Sequence, residues 1–131
     1  MLGSIVFGGS RETEIRIYSL IINAIVPDKS DVVIWTDDKK RLKYLEKFTN
    51  IRFSDTPDKA DLLIVKETEG IKSDRPIFAI SYPILKYYKD SALGGFYWQK
   101  GRPNVIFLQE NLRRKGITLP KSMSKFVETR L

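Results

Sequence analysis

Three short runs of almost unbroken apolar character, Val32–Thr36, Leu62–Val65 and Ile77–Ile80, set the strongest limit on what this chain can fold into. Side chains of a strand point alternately to its two faces, so a strand that is apolar throughout has both faces covered. Such strands belong to parallel sheets with helices packed on them. The stretch before the first run supplies one helix. Ile15, Tyr18, Ile22 and Ile25 recur at intervals of three and four from about Arg11 to Val26, with Glu12, Glu14 and Arg16 on the other side. Leu20 and Ile21 widen the apolar stripe, Ser10 is a suitable N-cap, and Pro27-Asp28 stops the helix.

Beyond the first strand, Asp37 or Asp38 caps a second helix through Phe48, with Leu42, Leu45 and Phe48 as its stripe. Ile51–Phe53 is a short strand, and Asp55-Thr56-Pro57 opens a brief helical approach to Asp61. Gly70 to Pro76 is a polar loop. Ser81 caps a helix that carries Pro83 near its start and runs to about Lys89. Gly95–Gln99 and Asn104–Leu108 flank Lys100-Gly101-Arg102-Pro103 as an antiparallel hairpin. A helix from about Gln109 to Lys115 ends at Gly116, and Pro120 heads a final helix with Met123, Phe126 and Val127 facing inward. The expected fold is therefore α/β: a single three-layer domain with a mainly parallel central sheet, helices packed on it, and a C-terminal antiparallel hairpin followed by two short helices. Gly3, Ser4, Gly8, Gly9 and Ser10 mark residues 1–10 as a flexible leader, with the domain over 11–131. At 131 residues and 42% hydrophobic, the chain can bury a core of its own.

The chain contains neither cysteine nor histidine. That removes thiol nucleophiles, disulfides, the usual zinc sites and imidazole bases together, and a Ser–His triad with them. No phosphate-binding glycine motif occurs, so no nucleotide, metal or other cofactor is expected and no catalytic residue is nominated. The net charge of +7 invites acidic partners, yet the excess is scattered, and a solvated basic surface accounts for it without nucleic acid. No run approaches the roughly 18 apolar residues that span a bilayer.

Two places carry functional readings. Thr36-Asp37-Asp38 follows a buried strand, at the carboxyl edge where α/β sheets bind ligands. Paired aspartates there can hold magnesium, but helix capping explains both without chemistry. Thr36, Asp37 and Ser81 are the candidate residues for a small-molecule crevice. The hairpin places Phe96, Tyr97, Trp98 and Phe107 on its two faces beside Lys100 and Arg102. Only one face can be core, so the other aromatic set is available to a partner.

From Gly94 onward the chain resembles the YfiR-like family of bacterial periplasmic regulators. The likeness rests on Gly94-Gly95 before an aromatic strand, Gly101-Arg102 leading into Val105-Ile106-Phe107, and Arg114, Gly116, Ile117 and Leu119 in sequence. The Ile15–Ile25 helix before Val32-Val33-Ile34, and Ala60-Asp61-Leu62-Leu63-Ile64, match more loosely. The chain departs from the family in lacking its cysteines, in a shorter hairpin, and in Leu108 where asparagine is usual. The resemblance implies an exported α/β domain, periplasmic once an export signal is removed, that represses a membrane signalling protein by contact; a cytoplasmic location is the alternative.

The leading expectation is thus a non-enzymatic sensory or regulatory domain with a protein partner, a membrane signalling protein being the kind implied. Phe96, Trp98, Arg102, Arg113 and Arg114 are its expected contact residues, and a homodimer is a further option. The first alternative is the solute-binding crevice. The second is nucleic-acid binding, which requires Lys39, Lys40, Lys43 and Lys100 to cluster on one face.

Overall fold

A computed structural model describes residues 2–27, 30–47, 50–129 and 131. The first helix, α1, spans Leu2–Ile25. Tyr18, Ile21, Ile22, Ala24 and Ile25 are its buried stripe, while Leu20 stays half exposed. The helix begins at Leu2 rather than near Arg11. Residues 2–10 carry no proline, so a helix anchored by its packed carboxyl half extends through them instead of ending at the Ser10 cap.

The apolar runs form strands where their composition requires. β1 is Val32–Thr36, β2 Ile51–Phe53, β3 Leu62–Val65 and β4 Ile77–Ala79. The hairpin strands β5 (Gly94–Gln99) and β6 (Arg102–Leu108) follow, with a two-residue strand β7 at Val127–Glu128. They form one sheet in the order β2-β1-β3-β4-β5-β6-β7. The first five lie parallel, β6 turns back antiparallel to β5, and β7 runs parallel to β6. The single three-layer α/β domain read from the sequence is this architecture, with β7 added after the last helical segment.

Period-two alternation splits the core into two layers. On one face Ile34, Leu62, Ile64, Phe78, Phe96 and Phe107 pack under α1. On the other, Val33, Leu63, Val65, Ile77, Ala79 and Leu108 lie under α3 (Tyr82–Tyr87), which contributes Ile84 and Leu85. The helix after β1 is short: α2 covers Lys39–Leu42 and tightens into a 3-10 segment over Lys43–Lys47, with Leu42 and Leu45 buried. Phe48, read as the third stripe residue, lies outside the described residues. The helix begun by Pro120 is likewise 3-10, over Lys121–Phe126.

Two glycines are dictated by contact and backbone geometry. A Cβ on Gly94 would stand 2.0 Å from the Ile106 carbonyl oxygen, so no side chain fits where β5 meets β6. Gly116 has φ +68° and ends α4 (Gln109–Arg114). There the Ile117 N–H donates to Leu112 O at 2.9 Å and the Gly116 N–H to Arg113 O at 3.0 Å, satisfying the last carbonyls of the helix. The hairpin loop is only Lys100-Gly101, both at positive φ; Arg102 and Pro103 already pair with Gln99 and Trp98. Pro103 is tolerated because β7 reaches only Phe107 and Leu108, leaving β6 an edge at that point.

Candidate functional site

The strand order changes direction between β1 and β3, and the candidate crevice residues meet at the carboxyl ends of β1, β3 and β4. The Thr36 hydroxyl is buried and accepts the Asp38 N–H at 3.1 Å. Asp38 caps α2 by accepting the Arg41 N–H at 3.3 Å, and its carboxylate lies 3.4 Å from Lys66 Nζ. Asp37 reaches across to the loop after β3. Its Oδ1 accepts the Lys66 N–H at 2.7 Å; its Oδ2 accepts the Glu67 N–H at 2.9 Å and both the N–H and hydroxyl of Thr68 at 2.8 Å. Ser81 caps α3 by accepting the Ile84 N–H at 3.4 Å, and its hydroxyl donates to Lys66 O at 2.8 Å.

Asp37 and Ser81 are therefore brought together as latches on the Lys66–Thr68 loop, while Thr36 holds the turn into α2 through the Asp38 N–H. Consecutive N–H groups of that loop form an anion nest, which the fold fills with its own Asp37 carboxylate. Burial pushes the Asp37 carboxyl up, but the N–H bonds from Glu67, Lys66 and Thr68 outweigh it and hold the group below its ordinary value. A carboxylate with four donors is a structural clip. Among the described residues no group of three or more acidic side chains is placed to hold a metal ion.

The five expected contact residues separate. Phe96 lies in the core at 2% exposure, edge-on to Tyr18 at 5.2 Å between ring centroids, and corrects the expectation that it faces a partner. Alternation puts Phe96 and Trp98 under α1, since both share the face of Phe107. Trp98 is half-buried, and its Nε1 donates to Glu14 Oε1 at 2.7 Å. Arg102 is exposed beside the hairpin turn, while Arg113 and Arg114 sit at the far end of β6, about 20 Å away by strand rise. Arg113 pairs with Glu110 at 2.6 Å. Arg114 donates to Asp90 O at 2.7 Å and to Asn111 Oδ1 at 3.1 Å, bracing the loop after α3. A cavity of about 470 Å³ opens beside this helix, between Leu112, Arg113, Leu119 and Val127.

The aromatic set that faces outward is a different one. Tyr97 alternates with Phe96 and Trp98, so it projects to the face covered by α3. There it meets Tyr82 edge-on, with ring centroids 5.4 Å apart. Lys86, one turn on, stands over the Tyr82 ring at 5.9 Å. Tyr82 is 44% exposed and Tyr87 49%. Arg102 pairs with Gln99 in the register and so shares this face with Tyr97. The period-two pattern of Phe96-Tyr97-Trp98 carried the signal for Tyr97; nothing local marked Tyr82 as its neighbour.

Sequence reading also missed Glu14. Besides Trp98, its carboxylate accepts from Arg41 Nη2 at 2.7 Å and from the Tyr44 hydroxyl at 3.0 Å, joining α1, the α2 region and the hairpin. Burial, then the Glu14 carboxylate beside it, push the Tyr44 phenol well above its ordinary value.

No family model matches the chain, and no curated protein matches it. Among solved structures it is similar to an ABC domain from Streptococcus pneumonia in complex with L-Trp, at 13% identity with a TM-score of 0.56. The alignment covers 81% of this chain and 58% of that one, so this chain spans well under two thirds of its neighbour. At that identity the likeness establishes the α/β fold. No helix among the described residues is long and apolar enough to cross a membrane.

Proposed function

We propose that this chain is a non-enzymatic regulatory domain that works by protein contact, with the sheet face flanking α3 as its binding surface. The observation that carries the reading is the tyrosine pair in which exposed Tyr82 lies on half-buried Tyr97. Tyr82 and Tyr97 stack edge-on, with Tyr87 exposed on the same helix and Arg102 on the same side of the hairpin. Tyrosine and arginine are the residues protein interfaces favour, because each offers a large contact area with a polar tip. The YfiR-like resemblance over Gly94–Leu119 supports a membrane signalling protein as the partner and the periplasm as the location. Capture from membrane and soluble fractions by the tagged domain, against a Tyr82→Asp/Tyr97→Asp variant of unchanged circular dichroism, tests it. A membrane protein held by the wild type and lost by the variant supports the proposal; equal capture by both refutes the surface.

A second reading, small-molecule binding at the carboxyl edge, is favoured by the solved structure with L-Trp bound. In this chain Asp37 and Ser81 already spend their polar groups on the Lys66–Thr68 loop, and Thr36 on the Asp38 N–H, so a ligand there has to displace Asp37. Calorimetric titration with L-Trp, on the wild type and on Asp37→Ala, reads this directly. Saturable heat altered by the substitution favours the crevice; no heat with either protein removes it.

A further inference from the structure

The α2 region carries a dense run of positive charge, with Lys39, Lys40, Arg41, Lys43 and Lys47 all exposed. Two adjoining concavities of about 540 and 530 Å³ share Lys40, Lys43 and Glu46 in their walls. Three of the cations that line them are neutralised within the fold: Lys39 pairs with Asp55 at 3.0 Å, Arg41 with Glu14 at 2.7 Å and Arg52 with Asp31 at 3.1 Å. Lys40, Lys43 and Lys47 have no ion-pair partner among the described residues. They line one concavity as an exposed row, Lys40 and Lys43 a turn apart and Lys47 further along the 3-10 segment, with Arg11 beside them and Glu46 as the single opposing charge in its wall. A scattered charge excess does not explain such a row. Lys39, Lys40 and Lys43 do cluster, while Lys100 lines a separate concavity with Gln99, Arg102 and Asn104.

We propose that this row docks the domain on the phosphate layer of an anionic lipid surface. The separation of Lys100 from the row favours that occupant, since a nucleic-acid track required Lys100 to join Lys39, Lys40 and Lys43 on one face. Contact with the bases of a polynucleotide draws in addition on guanidinium forks and open aromatic platforms for stacking. Here Arg41 and Arg52 are spent on carboxylates. The Tyr44 hydroxyl is held by Glu14, with Arg11 over the ring at 6.0 Å, and Phe53 packs against the core. What remains is a line of lysine point charges on long stems, the pattern that sits on lipid headgroups through summed electrostatic attraction. The inference is independent of the tyrosine face, and either can fail without the other.

Vesicle sedimentation tests it, with phosphatidylcholine alone and with 30% phosphatidylglycerol, using the full chain at low and at raised salt. The wild type is expected to bind only the anionic vesicles and to be released by salt. Each lysine near the surface contributes about fivefold to binding, so Lys40→Gln/Lys43→Gln/Lys47→Gln weakens it about a hundredfold. Lys72→Gln/Lys89→Gln, at exposed positions elsewhere, leaves binding within about fivefold. Circular dichroism of each variant separates lost binding from lost fold. Binding unaffected by the triple substitution overturns the proposal. So does failure to bind anionic vesicles, whether or not the protein retains random-sequence duplex DNA.

Discussion

Replacing Glu14 with alanine removes the carboxylate that holds Trp98, Arg41 and Tyr44 together. Its side chain is 13% exposed, so none of the three bonds is fully immersed in water. The Arg41 guanidinium is 39% exposed and turns to solvent when released, so that pair contributes at most about 1 kcal/mol. The indole N–H of half-buried Trp98 and the Tyr44 hydroxyl lose an ionised acceptor, at about 1 kcal/mol each and more where water cannot reach. The sum for Glu14→Ala is about 2–4 kcal/mol. For a domain of this size that lowers Tm by about 10 °C. Urea unfolding followed by tryptophan fluorescence measures it, and Glu14→Gln, which keeps one carbonyl acceptor, is expected to lose roughly half as much. A double-mutant cycle with Trp98→Phe isolates the indole bond and is expected to give a coupling of about 1 kcal/mol. Destabilisation below about 0.5 kcal/mol in Glu14→Ala, or zero coupling, refutes the view that one carboxylate joins hairpin and helices.

Asp37→Asn is expected to cost about 1–2 kcal/mol near neutral pH, because Lys66 and Glu67 are exposed and their freed N–H groups regain water. The folded protein holds the Asp37 carboxyl below its unfolded value of about 3.9, so its contribution is complete above that range and fades as pH falls through the lowered folded value. Urea titrations of wild type and variant from pH 7 to 2 should converge only at the acid end; a constant gap rules the clip out. Asn111 is 3% exposed and donates to Lys89 O at 2.9 Å and Ala92 O at 2.7 Å, so Asn111→Ala strands two carbonyls and is expected to cost about 2–4 kcal/mol by the same assay. Gly94→Ala drives a Cβ into Ile106 O and is expected to leave little folded protein by circular dichroism, whereas Gly116→Ala, with open space around it, costs only about 1 kcal/mol of left-handed strain.

The parallel sheet was legible because Val32–Thr36, Leu62–Val65 and Ile77–Ile80 are apolar on both faces, and only a covered strand tolerates that. Ser81 and Gly116 were legible because caps use local chemistry. The two-residue β7 was not: Val127 and Glu128 become a strand only because the end of β6 lies open beside them, a fact of register. The Asp37 clip was hidden for a related reason. Its partners are main-chain N–H groups some 30 residues away, which no side chain advertises. Glu14 and Trp98 lie 84 residues apart, and nothing in either neighbourhood marks the pair. The Phe96-Tyr97-Trp98 triplet showed that one aromatic set had to face out, but which one depended on where α1 and α3 packed.

The central claim, that the tyrosine face meets another protein, is tested most directly by photo-crosslinking. A benzophenone amino acid at position 86, exposed and beside the Tyr82 ring, is compared in the native host with the same group at exposed position 72. A single discrete adduct from position 86, absent from 72 and abolished by Tyr82→Asp/Tyr97→Asp, is the predicted result. Equal adducts at both positions, or none at 86, contradict it.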